Sequence, residues 1–318
     1  MAHPQCCTFA PILNPSYGAG QVEEFAGITT YTSGSSDSKR AILLIADVFG
    51  YSAPNLRNLA DKCAAAGYFV VVPDFLHGDP FDHSGERTFL EWVNDHPVAG
   101  IIVEAKLVIE ALKCKGVSKI GCASFCWSAQ AAMGLTTPDY IQALVLLHPA
   151  FISVDDVLAV KVPIEILGAE NDAVTPQATI KQFEAALKAN HQVDYYVKIF
   201  PGVEHGWTVR YDTNDKEAVK KAEEAHKDML NWFAKYLATS SLSNVGGKAL
   251  DFMYTPTTPG KGQAMWPTRF EDYGYGDDQI LRSRVRMLEA NQRGMKIMLA
   301  AIFIVCMFSL LATIIPKL

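Results

Sequence analysis

Six short apolar runs punctuate the first 240 residues, at 41–46, 68–72, 119–123, 143–147, 163–167 and 195–200. They are continuous rather than alternating, which is the pattern of strands buried on both faces. Between them, apolar positions recur at helical spacing over 55–66, 98–112, 129–134, 178–189 and 215–236. Strands separated by helices predict an α/β domain, a mainly parallel sheet with helices on both faces. The last helical pattern closes this body, so one domain is expected over 1–238.

The pattern then changes. Residues 239–278 gather Ser, Thr, Gly and Pro, with aromatics at Tyr254, Trp266, Phe270, Tyr273 and Tyr275. This composition predicts an extended linker, read either as a flexible tether or as a strap that packs on a membrane-complex partner. Residues 279–296 carry Arg282, Arg284, Arg286, Arg293 and Lys296 beside apolar positions at helical spacing, a basic juxtamembrane helix. Residues 297–315 are uncharged throughout. As a helix they would span about 28 Å, close to the thickness of a bilayer core, so a single transmembrane helix is expected. The basic flank places the preceding domain on the cytosolic-type face of an unspecified membrane, as in a tail-anchored protein.

Composition narrows the classes. The 318 residues are 49% hydrophobic and 19% charged, enough apolar material for a sizeable core. Of the 28 Lys/Arg and 34 Asp/Glu, nine and six fall in 241–318, which leaves the first 240 residues with 19 against 28. An acidic body has no electrostatic footprint for nucleic acid. The seven cysteines form no CxxC pairs, so neither a structural zinc site nor a disulfide framework is expected, and a reducing compartment fits. The His77-Gly78-Asp79-Pro80-Phe81-Asp82-His83 cluster matches no standard metal spacing. No GxGxxG or GxxxxGK[ST] motif occurs, and no cofactor is expected. The N-terminus has no apolar run and no Lys or Arg before Lys39, so no secretory or transit signal is expected.

Chemistry enters at Ser124-Phe125-Cys126-Trp127-Ser128, directly after the run at 119–123. A small-x-nucleophile-x-small sequence at a strand-to-helix junction is a nucleophile elbow, because bulkier neighbours would make strand and helix collide. An acid, Asp172, follows the run at 163–167, and a histidine, His205, follows the run at 195–200. A thiol needs an imidazole to take its proton, and the imidazole needs a carboxylate to fix its tautomer. The order Cys126, Asp172, His205 is that of an α/β-hydrolase fold. The backbone amides of Trp127 and of Val48, in the loop after the first run, are candidate oxyanion donors. His148, which also follows a run but precedes the acid, reads as structural.

These motifs resemble the dienelactone hydrolase (carboxymethylenebutenolidase) family over about residues 1–238. The resemblance rests on Ala46-Asp47-Val48-Phe49-Gly50, Pro73-Asp74-Phe75-Leu76-His77-Gly78-Asp79-Pro80, the elbow, Asn171-Asp172 and Glu204-His205-Gly206-Trp207, with Pro4-Gln5-Cys6-Cys7 as in eukaryotic members. It implies cleavage of a small-molecule lactone, ester or thioester through an acyl-cysteine intermediate. It also implies that Asp47, standing where the family has a glutamate, modulates the thiol. Arg210 and Trp207 become candidate substrate contacts, Arg210 as counterpart of a family arginine. Ser128 stands where the elbow usually has glycine. The alternative expectation is a weak or inactive hydrolase-fold subunit of a membrane complex. A carbohydrate-acting hydrolase has less support, since no carboxylate pair of glycosidase type is evident.

Overall fold

The computed structural model describes residues 10–239, and they form one body around a single eight-stranded sheet. The strands are β1 (Gln21–Phe25), β2 (Ile28–Ser33), β3 (Arg40–Ile45), β4 (Phe69–Pro73), β5 (Lys119–Phe125), β6 (Ala143–Leu147), β7 (Ile164–Asn171) and β8 (Tyr195–Glu204). Their order across the sheet is β1-β2-β4-β3-β5-β6-β7-β8. Pairing is parallel from β4 to β8, while β1 with β2 and β2 with β4 are antiparallel. The helices are α1 (Pro54–Ala65), α2 (Phe89–Asp95), α3 (Val98–Cys114), α4 (Ala129–Met133), α5 (Val154–Leu158), α6 (Gln177–Asn190) and α7 (Lys216–Tyr236).

The runs in β3, β4, β5 and β6 are continuous because both sheet faces are covered there, whereas β7 carries Glu165 within its run and the edge strand β8 is only partly buried. Along β3, Ala41, Leu43 and Ile45 join one core with residues of α3 and α6, while Ile42 and Leu44 join a second core with residues of α1 and α7. Alternation of side chains along a strand sorts one unbroken run into two cores. Gly121 in β5 lets α7 approach closely: a Cβ there would lie 2.6 Å from the Phe233 ring.

Two strands exceed the expected six. β1 is almost wholly exposed, and its Gln-Val-Glu-Glu-Phe sequence has no buried run to betray it. β2 is rich in threonine, two of whose side chains bond to Glu23 and Glu24 of β1. The short helices α2 and α5 were also not anticipated. Each is fixed by a capping box, Thr88 with Glu91 and Ser153 with Asp156, rather than by apolar periodicity.

Beyond their predicted ends, β7 and β8 continue to Asn171 and Glu204, which pair with each other after an irregularity between Ala169 and Asn171. This extension sets the next residues, Asp172 and His205, side by side. Among the described residues, no helix is long and apolar enough to cross a membrane. The linker at 239–278 (except Thr239), the juxtamembrane helix at 279–296, the span at 297–315 and Pro4-Gln5-Cys6-Cys7 lie outside the described residues.

Candidate active site

Cys126 follows the last residue of β5 and starts the turn that leads into α4. Its φ of 61° lies in the left-handed region, strained for any residue with a Cβ. Surrounding bonds hold it there. The Ala150 N–H donates to the Cys126 carbonyl at 2.9 Å. The Ser128 hydroxyl accepts the Phe125 N–H at 3.2 Å and lies 2.9 Å from the Ile45 carbonyl and 3.0 Å from that of Phe125. The serine in place of glycine therefore ties the ends of β3 and β5 together.

His205 Nδ1 and Asp172 Oδ2 are 2.8 Å apart, and both side chains are almost fully shielded from water. The other carboxylate oxygen of Asp172 accepts the N–H groups of Val174 (2.8 Å) and Thr175 (2.9 Å). Burial opposes a charge on His205, but the negative charge of Cys126 and the Asp172 hydrogen bond outweigh it and raise the imidazole to about 9. Nδ1 being taken by Asp172, the buried Nε2 is the nitrogen left for Cys126, whose hydrogen bond also raises the imidazole. A histidine with this poise suits a thiol that works as thiolate.

The register Ile45↔Ser124 makes β3 and β5 end level, so Asp47 and Val48 leave the sheet beside Cys126 and Trp127. Val48 and Trp127 are both buried. Asp47 and Arg210, assigned separate tasks from the sequence, are partners: Arg210 Nε donates to Asp47 Oδ2 at 2.6 Å, with both side chains buried. The second Asp47 oxygen accepts the Phe49 N–H at 2.9 Å, and the guanidinium lies over the Phe49 ring at 4.9 Å. Gly206, at φ +93°, makes room for this arginine, since a Cβ there would meet Arg210 Cδ at 2.8 Å.

Trp207 is buried against Phe200 and His148, with ring centroids 5.3 and 5.5 Å away. A cleft of about 470 Å³ borders His205, Trp207 and Arg210 together with the start of α7, but Cys126 is not in its wall. The members of the 77–83 cluster serve different partners: His77 pairs with Glu104, Asp79 with Arg87, and His83 packs on Phe49 and Phe81.

His148 belongs to the site, which its sequence context did not reveal. Its ring stands edge-on to His205 at 5.1 Å, and its Nε2 is 2.8 Å from the Thr208 hydroxyl. Burial, followed by the positive charges of His205 and Arg210, holds it well below the usual histidine range, so it is neutral. The available signal was its position, one residue past the end of a central parallel strand. His226, held down to about 4 by burial, lies 2.8 Å from the Thr208 carbonyl through Nε2. The 205–210 loop is thus tied at His205, Thr208 and Arg210.

An elbow after a central parallel strand, an acid after a later strand and a histidine after the last are the layout of an α/β hydrolase. Within that class the chain belongs to the dienelactone hydrolase family, whose model matches residues 28–237, and it is a carboxylic ester or lactone hydrolase. It is 34% identical over 230 residues to a carboxymethylenebutenolidase homologue of Xenopus tropicalis, covering 70% of this chain and 93% of that protein. A maize protein described as an endo-1,3;1,4-beta-D-glucanase is 41% identical over 169 residues, 53% of this chain, and the match spans only 55% of that relative's length. The crystal structure of a Klebsiella pneumoniae protein assigned to the dienelactone hydrolases shares the fold, with a TM-score of 0.57 at 21% identity, covering 69% of this chain and 98% of that one.

Proposed function

We propose that this enzyme cleaves a small lactone, ester or thioester by covalent catalysis at Cys126. The single observation that carries the reading is the buried Asp172–His205 contact, with the imidazole raised to about 9 beside Cys126. The thiolate sulfur attacks the carbonyl carbon, and the carbonyl electrons move onto oxygen, where the Val48 and Trp127 amides receive the charge. Collapse of this intermediate expels the alcohol or thiol, which takes its proton from His205, and leaves acyl-Cys126. Water then attacks the thioester, giving its proton to His205 and releasing acid and thiolate. Asp172 keeps the imidazole oriented. Asp47 acts on the site jointly with Arg210, as a buried pair beside the oxyanion loop.

The test is hydrolysis of a short-chain p-nitrophenyl ester by the full chain and by Cys126→Ala, with a rate loss of at least ~100-fold expected. An unchanged rate would sink the assignment, and so would the absence of any activity in the unaltered chain, the outcome expected of an inactive subunit.

The maize relative favours a second reading, hydrolysis of a β-glucan. That chemistry needs two carboxyl groups roughly 5–9.5 Å apart across the scissile bond. Here Asp172 is bound by His205 and Asp47 by Arg210, so the ester reading stands first. Release of reducing sugar from a mixed-linkage glucan, retained in Cys126→Ala, would reverse that order.

The uncharged run at 297–315 and its basic flank support a further part of the proposal, that the enzyme is anchored in a membrane with residues 1–238 on the cytosolic-type face. Carbonate-resistant pelleting of the full chain, lost on deletion of 297–318, is the result expected.

A further inference from the structure

Beside the catalytic segments lies a chain of aromatic rings that the triad does not use. Phe49, the residue after Val48, is 6.5 Å from His83, and His83 stands edge-on to Phe81 at 5.0 Å. Phe81 meets Phe89 edge-on at 5.3 Å, and Phe89 meets Phe151 at 6.4 Å. Both ends are fixed to the reaction site. The Phe81 N–H donates to the Val48 carbonyl at 2.8 Å, and Phe151 follows Ala150, whose N–H holds the Cys126 carbonyl. Trp92 backs the arc, with its ring 5.8 Å from Phe81 and 5.1 Å from Trp127.

The outer rings of this arc are not closed into the core. Phe89 is half-buried, and Phe151 is 41% exposed although its φ is +59°. A bulky residue held in the left-handed region gains little from core packing when so much of it faces outward. Strain of that kind concentrates where a segment meets a ligand.

The charges around the arc exclude an anionic partner. Residues 79–95 hold five carboxylates and one basic side chain, Arg87. Arg87 is committed to Asp79 at 2.6 and 2.8 Å and to Asp95 at 3.2 Å. Arg210 is committed to Asp47. A carboxylate arriving here meets like charge and finds both arginines already paired, while a flat neutral ring meets faces and edges of matching geometry.

We infer that the substrate is an ester or thioester bearing a neutral aromatic group, packed against the arc of Phe49, Phe81, Phe89 and Phe151. This rests on the ester-hydrolase reading proposed above. The test measures kcat/KM by proton release for ethyl acetate, ethyl phenylacetate and benzyl acetate, the last two placing a ring on either side of the carbonyl. Their 4-carboxylated analogues serve as charged counterparts. At least one neutral aromatic ester should exceed both ethyl acetate and its own carboxylated analogue by about tenfold or more. Phe89→Ala and Phe151→Ala should each erode that margin by about threefold or more. Equal or faster cleavage of the carboxylated esters would overturn the inference, as would a margin untouched in both variants. Hydrolysis of ethyl acetate with no aromatic preference defeats this inference alone. Failure to cleave any of the esters would defeat the hydrolase reading beneath it.

Discussion

Two halves of the site are built on opposite terms. The 205–210 loop is buried and tied through its polar side chains, with His205 on Asp172, Thr208 between His148 and His226, and Arg210 on Asp47. The arc from Phe81 to Phe151 is apolar, partly exposed, and carried on short helices and loops. The difference shows how a parallel sheet divides the labour. Chemistry is set where strand ends lie level and buried ion pairs and hydrogen bonds fix the loop that carries His205. Recognition is left to segments whose rings can be exchanged without disturbing the sheet.

Removing a tie from the polar half gives the largest effect. Arg210→Ala leaves Asp47 buried without its counter-charge and should cost about 3–5 kcal/mol in a urea-melt comparison. A cost near zero would mean that the loop is held by something else.

A smaller effect sharpens the electrostatic side of the comparison. His205 is raised above its unfolded value of about 6.5 to about 9, so its proton, and the stability it contributes, are fully present below pH 6.5 and lost as pH rises through 9. The kcat/KM for ester cleavage should accordingly fall on the alkaline side near pH 9. Asp172→Asn removes a contribution that raises the imidazole and should move this limb down by about one pH unit or more, roughly 1.4 kcal/mol. A limb that stays in place would show that Asp172 does not act on His205.

The smallest effect belongs to the apolar half. Phe151→Ala trims a partly exposed ring and should leave the unfolding free energy within about 0.5 kcal/mol. A loss of several kcal/mol would erase the distinction, making the arc part of the core.

Much of this division was legible in the amino-acid order, and the exceptions have physical causes. The apolar runs announced the parallel strands, most clearly β3 to β6, where burial on both faces leaves an unbroken hydrophobic signal. β1 was silent because its side chains face water, and β2 because most of its buried positions are threonine and serine. Cys126, Asp172 and His205 stood out as candidates because each comes shortly after such a run. The Asp47–Arg210 pair could not, since its members stand 163 residues apart and a long-range contact has no local pattern. His148 read as structural, and its place against the His205 ring at 5.1 Å is a long-range contact with no local pattern. The arc was hidden for a similar reason: Phe81, Phe89 and Phe151 sit in loops and short helices with no periodicity of their own.

The most direct test of the central claim is to trap the acyl-enzyme. The full chain is mixed with excess p-nitrophenyl ester, quenched in acid within the first turnovers, and read by intact mass and peptide mapping. The account predicts one acyl group, carried on Cys126 and on none of the other six cysteines. Ester turnover with no acyl group on Cys126 at any quench time, or with the acyl group on another residue, would contradict it.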